Sequence, residues 1–430
     1  MVAKTNAILK EVLERVEPSD EEKKILENMV KVFDEKLKRL LVKMKNPPEI
    51  FIGGSYAKKT LIRKDKYDVD IFLRYGKNYD GKNISEITKG LLKDFKNVLL
   101  VHGSRDYFRI NMGNNIFIEL VPVKKVSSPA GSDNITDLSY SHVKYVNSKI
   151  KNKKILDEIK IAKAFCHANN CYGAESYIRG FSGYSLELLV YYYKGFLKMI
   201  KELVKDKSEK IIVDVEKKYK NKKDVLIDMN SSKLESPIIL VDPTFPQRNA
   251  LAALSYETFE RFKKACGEFL KNPTIKSFEK QKVNLEQIKK NAQSKKHEFI
   301  LIEITTEKQE GDIAGSKLLK FYNHLTSEVE KFYELKNKGF NYNGKKSARA
   351  FYVLQRKKEI IYFGPYENDE KNVKMFKKEH KNIFVKNKRL FAREKVNFSA
   401  KEFFSKWKVK NKRRIKEMSV VGMEFVENLI

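Results

Sequence analysis

The chemistry-bearing residues of this chain gather in one short region. Residues 53–72 read GGSYAKKTLIRKDKYDVDIF. Side chains alternate faces along a strand, so Asp68 and Asp70 point the same way, with Val69 and Ile71 opposite. At ~3.3 Å per residue their Cα atoms lie ~7 Å apart, close enough to converge on one or two divalent cations. Without a cation the pair repels by on the order of 1 kcal/mol or more. A third lone acid, Glu119, stands in the apolar run NIFIELVPV. If the two runs are neighbouring strands, Asp68, Asp70 and Glu119 form an oxygen-only cluster of the kind that suits Mg²⁺ and substrate phosphates.

Gly53-Gly54-Ser55 would form the other half of such a site. Glycine lets the backbone come close to a ligand, and the start of a helix favours phosphate. Taken singly, a GGS turn is most simply a tight turn and D-x-D a pair of exposed acids. The ordered set of strand, GGS turn, helix, D-x-D strand and third acidic strand is far more specific. It points to a nucleotidyltransferase site.

The elements that must position these residues follow from periodicity. Residues 1–17 and a capping box at Ser19–Glu22 predict two helices, the second burying Ile25, Met29, Val32, Phe33, Leu37 and Leu40. Strands are expected at EIFI (49–52), 66–75, VLLVHG, RDYFRINM and NIFIELVPV, with a turn at Gly113-Asn114-Asn115. Beyond about 146 the pattern is helical, and GYSLELLVYYYKGFLKMI reads as one buried central helix. Residues 271–284 look like a boundary. EFILIEI then reads as a strand and KLLKFYNHLTSEVEKFYELKNKG as one long amphipathic helix. ARAFYVLQR and KEIIYFG are strand-like, 369–380 is helical, and 406–416 forms a basic helix. The expected architecture is α+β multidomain. It comprises a mixed-sheet catalytic head (1–145), a central helical neck and body domain (146–265), a small α/β tail domain (266–366) and a basic C-terminal segment (367–430).

Composition bounds the partners. The 430 residues carry a formal net charge of +32 and are 41% hydrophobic. So basic a chain expects a polyanion such as nucleic acid, although uniform lysine usage would produce the same total. The Lys-dense stretch 201–223 fits a solvated insertion better than a nucleic-acid contact. Three cysteines at unhelpful spacing argue against a disulfide framework and for a reducing cytosol. Six histidines include no i, i+4 pair, so no zinc site is visible. No apolar run of about 18 residues predicts a membrane span.

The set of motifs resembles the DNA polymerase β-like nucleotidyltransferase superfamily, whose signature is hG[G/S] followed by [D/E]h[D/E]h and a third acidic strand. CYGAESYIRGFSGY (171–184) and VDPTFPQRNA (241–250) narrow the resemblance. They are similar to motifs of the class I, archaeal-type CCA-adding tRNA nucleotidyltransferases. FGPYENDEKNVKMF resembles a late segment of the same family. The arginine-rich motif of the class II enzymes is not seen.

The resemblance implies addition of C, C and A to the 3′ end of tRNA from CTP and ATP, without a template and with release of pyrophosphate. It implies two Mg²⁺ ions on Asp68, Asp70 and Glu119. Nucleotide binding would fall to Gly54, Ser55, Lys58, His142, Lys163, Tyr172, Asp242 and Arg248, with Ser55, Lys163 and Tyr172 on the phosphates and Arg248 selecting the base. Outside the ordered match, Lys163 is simply a helical lysine, Tyr172 a core aromatic, His142 a loop residue, and Asp242 with Arg248 an ion pair. Lys346, Arg349, Lys412 and Arg413 are candidates for gripping the acceptor arm and T-loop. The family is often dimeric. A poly(A) polymerase or another terminal nucleotidyltransferase would share the superfamily signature. A non-catalytic RNA-binding protein would leave the three acids unexplained.

Overall fold

The computed structural model describes residues 2–81, 83–103, 105–126, 134–280 and 283–427. The chain divides into two compact units, 1–281 and 282–430. The division falls inside the 271–284 stretch. The expected head and central segments lie in the first unit, and the tail and C-terminal segments in the second, apart from 266–281.

The first unit opens with helices α1 (Val2–Val16) and α2 (Asp20–Leu41). Ser19 and Glu22 close the expected capping box at the start of α2. The buried stripe of α2 is Leu26, Val30, Phe33, Leu37 and Leu41, while Val32 is 52% exposed. The expected face was therefore turned by about one residue. Ile25 and Met29 lie only at its edge.

β1 (Glu49–Ile52), the single helical turn α3 (Gly54–Ala57) and β2 (Tyr67–Tyr75) follow. Then come α4 (Ile84–Leu91), β3 (Val98–Val101), β4 (Tyr107–Gly113) and β5 (Ile116–Lys124). The five strands make one mixed sheet in the order β1-β2-β5-β4-β3. β2 and β5 are its central parallel pair, and the other pairings are antiparallel. One face of the sheet packs on α2 through Val69, Ile71, Leu73, Ile118 and Leu120.

The helical half comprises α5 (Ser139–Lys149), α6 (Lys153–Ala168), α7 (Gly183–Tyr193) and α8 (Phe196–Lys205). The run expected as one buried helix is thus two. The chain turns at Lys194 and Gly195, with φ of 57° and 134°, and Glu158 restarts the helix by accepting from the Phe196 N–H at 2.8 Å. Next stand β6 (Ile211–Asp214), α9 (Lys222–Asp228), β7 (Ile238–Asp242), β8 (Phe245–Asn249) and α10 (Tyr256–Lys271), the strands forming a sheet β6-β7-β8. The Lys-dense 201–223 stretch therefore contains a strand of that sheet. Leu9 and Val12 of α1 join the core of this helical half, with Phe165, Leu188 and Phe262.

The second unit holds α11 (Leu285–Ser294), β9 (Glu298–Thr305), α12 (Asp312–Glu330), β10 (Tyr333–Tyr342) and β11 (Ser347–Arg356). Here the expected long helix stops at Glu330, and YELKNKG becomes β10. Tyr333 and Leu335 sit two apart at strand period, and pairing with β11 supplies the backbone partners. β12 (Glu359–Tyr366), α13 (Glu370–Glu379), β13 (Ile383–Lys386), β14 (Arg389–Lys395), α14 (Ala400–Lys410), α15 (Lys412–Glu417) and β15 (Gly422–Phe425) complete it. One sheet runs β10-β11-β9-β15 and the other β12-β14-β13. The expected basic helix 406–416 is two helices meeting at Asn411, and Trp407 is buried in the core with Phe321 and Phe404. Among the described residues no helix is long and apolar enough to cross a membrane.

Candidate active site

The parallel pairing of β2 and β5 sets Asp70 directly beside Glu119. Asp68 lies two residues back on the same face, and the antiparallel partner of Glu119 on β4 is Arg109. The face opposite the α2 core therefore carries three carboxylates and one guanidinium. Asp68 and Asp70 are half-buried, and their neighbours Tyr67, Val69 and Ile71 are buried.

Electrostatics show the strain of that grouping. Burial, then repulsion from Asp70 and Asp68, pushes the Glu119 carboxyl up to about 8, against the pull of Arg109. Burial also pushes Asp70 up to about 6; Lys58 opposes this and Asp68 adds to it. Arg109 donates to Asp68 Oδ1 at 2.6 Å and stands 3.8 Å from Glu119 Oε1. As the side chains stand, no group of three or more His, Cys, Asp or Glu among the described residues is poised around a common point. The donor set nevertheless suits a hard divalent cation: three oxygen ligands share one sheet face, and their mutual repulsion is met only in part by Arg109.

The GGS turn is fastened over this pair. The Gly53 N–H donates to the Asp70 carbonyl at 2.8 Å. Gly54 has φ +62°, and a Cβ there would stand 1.7 Å from Asp70 Oδ2. Only glycine satisfies both conditions. Ser55 follows, partly buried, in a helix of one turn. That turn is too short for the helix-terminus attraction expected at this point, so a phosphate would rely on Ser55 and nearby cations.

Two of those cations are the expected Lys58 and Lys163, both buried. Their ammonium groups meet at Glu187 of α7, at 2.6 Å and 2.9 Å. Sequence reasoning missed Glu187, and the available signal was a lone carboxylate inside the otherwise apolar run LELLV. It missed Arg109 too, a cation alternating into an apolar strand. Tyr172 lies beside Lys163. A Cβ on Gly183, the first residue of α7, would be 2.9 Å from the Tyr172 hydroxyl and 3.8 Å from Lys163 Nζ. The Tyr172 ring stacks on His167 at 3.9 Å.

A second cluster gathers on Asp242, the last residue of β7 and fully buried. Its Oδ2 accepts from Arg248 Nη1 at 2.6 Å and faces His142 Nε2 at 3.0 Å. Its Oδ1 accepts from Tyr184 Oη at 2.9 Å and from the Thr244 N–H and hydroxyl at 2.9 and 2.8 Å. Burial lowers the His142 pKa, against the pull of Asp242, so the neutral ring donates Nε2–H to the carboxylate. His142 stacks on Tyr184 at 4.0 Å. Arg248 is mostly buried, and its Nε finds no hydrogen-bond partner among the described residues. The expected Asp242–Arg248 ion pair is present, and His142 belongs to the same cluster.

A profile described as "tRNA nucleotidyltransferase, second domain" matches residues 157–279. The CCA-adding enzyme of Saccharolobus solfataricus is 30% identical over 329 residues, covering 76% of this chain and 72% of that protein. The chain belongs to the CCA-adding enzyme family. The Methanocaldococcus jannaschii CCA-adding enzyme is 28% identical over 409 residues, covering 91% of this chain and 88% of that one. The Nanoarchaeum equitans CCA-adding enzyme is 42% identical over 213 residues, 49% of this chain and 52% of that one. Among solved structures, Cid1, described as an RNA terminal uridylyl transferase, superposes with a TM-score of 0.51 at 11% identity, covering 65% of this chain and 99% of its own. A cytoplasmic RNA terminal U-transferase gives 0.50 at 12%, with the same shares covered. These likenesses concern the fold, which is that of the polymerase β-like nucleotidyltransferases. This member of the CCA-adding enzyme family is therefore a nucleotidyltransferase, and enzymes of this kind generally use a divalent metal and nucleotides.

The four basic residues expected to hold RNA lie in the second unit. Lys346 is exposed between β10 and β11, and Arg349 faces Glu303 across β11 and β9 at 3.8 Å. Lys412 and Arg413 are exposed on α15, where Arg413 pairs with Glu417 at 3.0 Å.

Proposed function

We propose that this enzyme adds C, C and A to the 3′ end of tRNA from CTP and ATP, without a nucleic-acid template. The observation that carries the reading is the closure of the GGS turn on Asp70, beside Glu119, in a chain of this family. A nucleotide's triphosphate lies between that turn and the carboxylates. Asp68, Asp70 and Glu119 hold two divalent cations, for which Mg²⁺ is the natural choice. When bound, these supply charge neutralisation on the triphosphate and a lowered pKa at the attacking hydroxyl.

The remaining steps belong to the chain itself. Gly54 and Ser55 bring backbone and hydroxyl to the phosphates. Lys58, Lys163 and Tyr172 face the β and γ groups, so that their contribution is positioning and charge. The RNA 3′ oxygen bonds to the α-phosphorus, the α–β bridging bond breaks, pyrophosphate leaves with the electron pair, and the hydroxyl proton passes to solvent. Arg248 reads acceptor atoms of the cytosine or adenine edge, with its angle held by Asp242 and its Nε available. His142 and Tyr184 fix Asp242 in turn.

Lys346, Arg349, Lys412 and Arg413 bind phosphates of the acceptor arm and T-loop by charge and shape. Affinity for tRNA then falls steeply with salt. The deciding assay supplies tRNA lacking its last three nucleotides, with each nucleotide alone and in mixture. Three additions ending in A are expected with CTP and ATP together. A long ladder with ATP alone would replace this reading by that of a poly(A) polymerase.

A further inference from the structure

Glu187 is fully buried in α7 and is the only charged residue of GYSLELLVYYY. An ionised carboxylate in such a place needs partners on both oxygens. Oε2 accepts from Lys58 Nζ at 2.6 Å. Oε1 accepts from Lys163 Nζ at 2.9 Å and from the Thr60 hydroxyl at 2.8 Å. Lys163 donates in addition to Thr60 Oγ1 at 2.7 Å and to the Thr60 carbonyl at 3.2 Å. The network ties together three stretches far apart in sequence: the loop after the GGS turn, α6 and α7.

Its charge does not balance. Two ammonium groups share one carboxylate, leaving one net positive charge in a buried pocket. That excess stands near the carboxylate face, because Lys58 ends the single helical turn whose Gly53 and Gly54 close on Asp70. It is also close to the Tyr172 hydroxyl at the start of α7. A buried, half-compensated cation cluster is a receptacle for an anion, and lysine ammoniums held by a fixed carboxylate need no reorganisation when one arrives.

We propose that Glu187 is a positioning residue that holds the ammonium groups of Lys58 and Lys163 aimed at the terminal phosphates of the incoming nucleotide. The inference rests on the reading that this site takes a nucleoside triphosphate. Glu187 does not touch the substrate and acts through the two lysines. Removing its charge releases both ammoniums from the one carboxylate that fixes their positions.

The test uses the full chain and inorganic tripolyphosphate as probe, titrated by calorimetry, alongside steady-state kinetics. Glu187→Gln is expected to weaken tripolyphosphate binding by about tenfold or more, which is about 1.4 kcal/mol. KM for CTP and ATP should rise by the same factor, while KM for tRNA and the C-to-A preference stay unchanged. Glu187→Asp keeps the charge and should recover part of the affinity, which a purely structural defect would not do. Thr60→Val, which keeps both ion pairs, is the second variant should Glu187→Gln fail to fold; it should weaken tripolyphosphate binding by a smaller factor. Wild-type affinity in folded Glu187→Gln, or in Thr60→Val where that is the variant tested, would overturn the proposal. If wild-type protein binds tripolyphosphate through Glu187 but adds no nucleotides to tRNA, the functional reading fails and this inference stands.

Discussion

A Cβ on Gly54 would stand 1.7 Å from Oδ2 of Asp70, at a residue whose φ is +62°. The turn and the strand that carries the acid are thus built around each other. Gly54→Ala meets two penalties: about 1–2 kcal/mol for a left-handed alanine, and the displacement of Asp70. Nucleotide addition should fall by about 10²-fold or more, because a catalytic group moved by an ångström costs on that order. Single-turnover rates and urea denaturation of the same preparation check this. Unaltered turnover would place the turn outside the site.

Asp70→Asn should abolish addition of both C and A, since the proposed cation site loses the carboxylate beside Glu119. Above pH 8, where Glu119 is ionised, the same change should stabilise the cation-free protein by about 1 kcal/mol, because it removes a charge that repels Glu119 across the β2–β5 pair. Thermal melts in a chelator should therefore favour the variant. Adding Mg²⁺ should raise the wild-type melting temperature far more than that of Asp70→Asn. Measurable turnover in the variant would remove Asp70 from the metal site.

The carboxylate face was legible because period-two alternation puts Asp68 and Asp70 on one side of a strand whatever the surroundings. The parallel pairing that brings Glu119 alongside was an assumption, since nothing local to NIFIELVPV names its partner. Arg109 and Glu187 were invisible for the same reason: each acquires meaning only from a residue on another element. The helix breaks at Lys194–Gly195 and Asn411 were missed because apolar periodicity continues through both. YELKNKG reads as helix or strand by pattern, and β11 decided it. α2 slipped its face because Ile25, Leu26, Met29 and Val30 offer two overlapping stripes. The resemblance to the family, by contrast, rested on ordered motifs across nearly the whole chain, which no local ambiguity disturbs.

Arg248→Ala should erode discrimination among bases while leaving tripolyphosphate binding intact, because Arg248 belongs to the Asp242 cluster and not to the lysine network. Asp242 keeps Tyr184, Thr244 and His142 as partners, so the stability cost should be about 1–3 kcal/mol. Misincorporation of U and G opposite no template, measured with each nucleotide in turn, is the readout. Selectivity equal to wild type would assign base choice elsewhere.

Glu187 and Lys163 predict how the enzyme responds to pH. Burial pushes the Glu187 carboxyl up, but Lys163 and Lys58 outweigh it and hold the group at about 2, below its ordinary 4.5. A depressed carboxyl contributes stability above pH 4.5 that is lost as the pH falls from there towards 2. Melting temperatures between pH 6 and pH 3 should therefore fall more steeply for wild type than for Glu187→Gln. Lys163 moves the opposite way: burial lowers it to about 8, against the pull of Glu187. Its native form thus sheds a proton between about pH 8 and the ordinary 10.5 of an unfolded lysine, so this group's contribution to stability rises across that window. The same lost proton weakens the attraction for phosphate. Tripolyphosphate affinity should decline as the pH rises through 8, even as the fold gains from Lys163, and a flat affinity profile from pH 7 to pH 9.5 would separate Lys163 from the phosphate site.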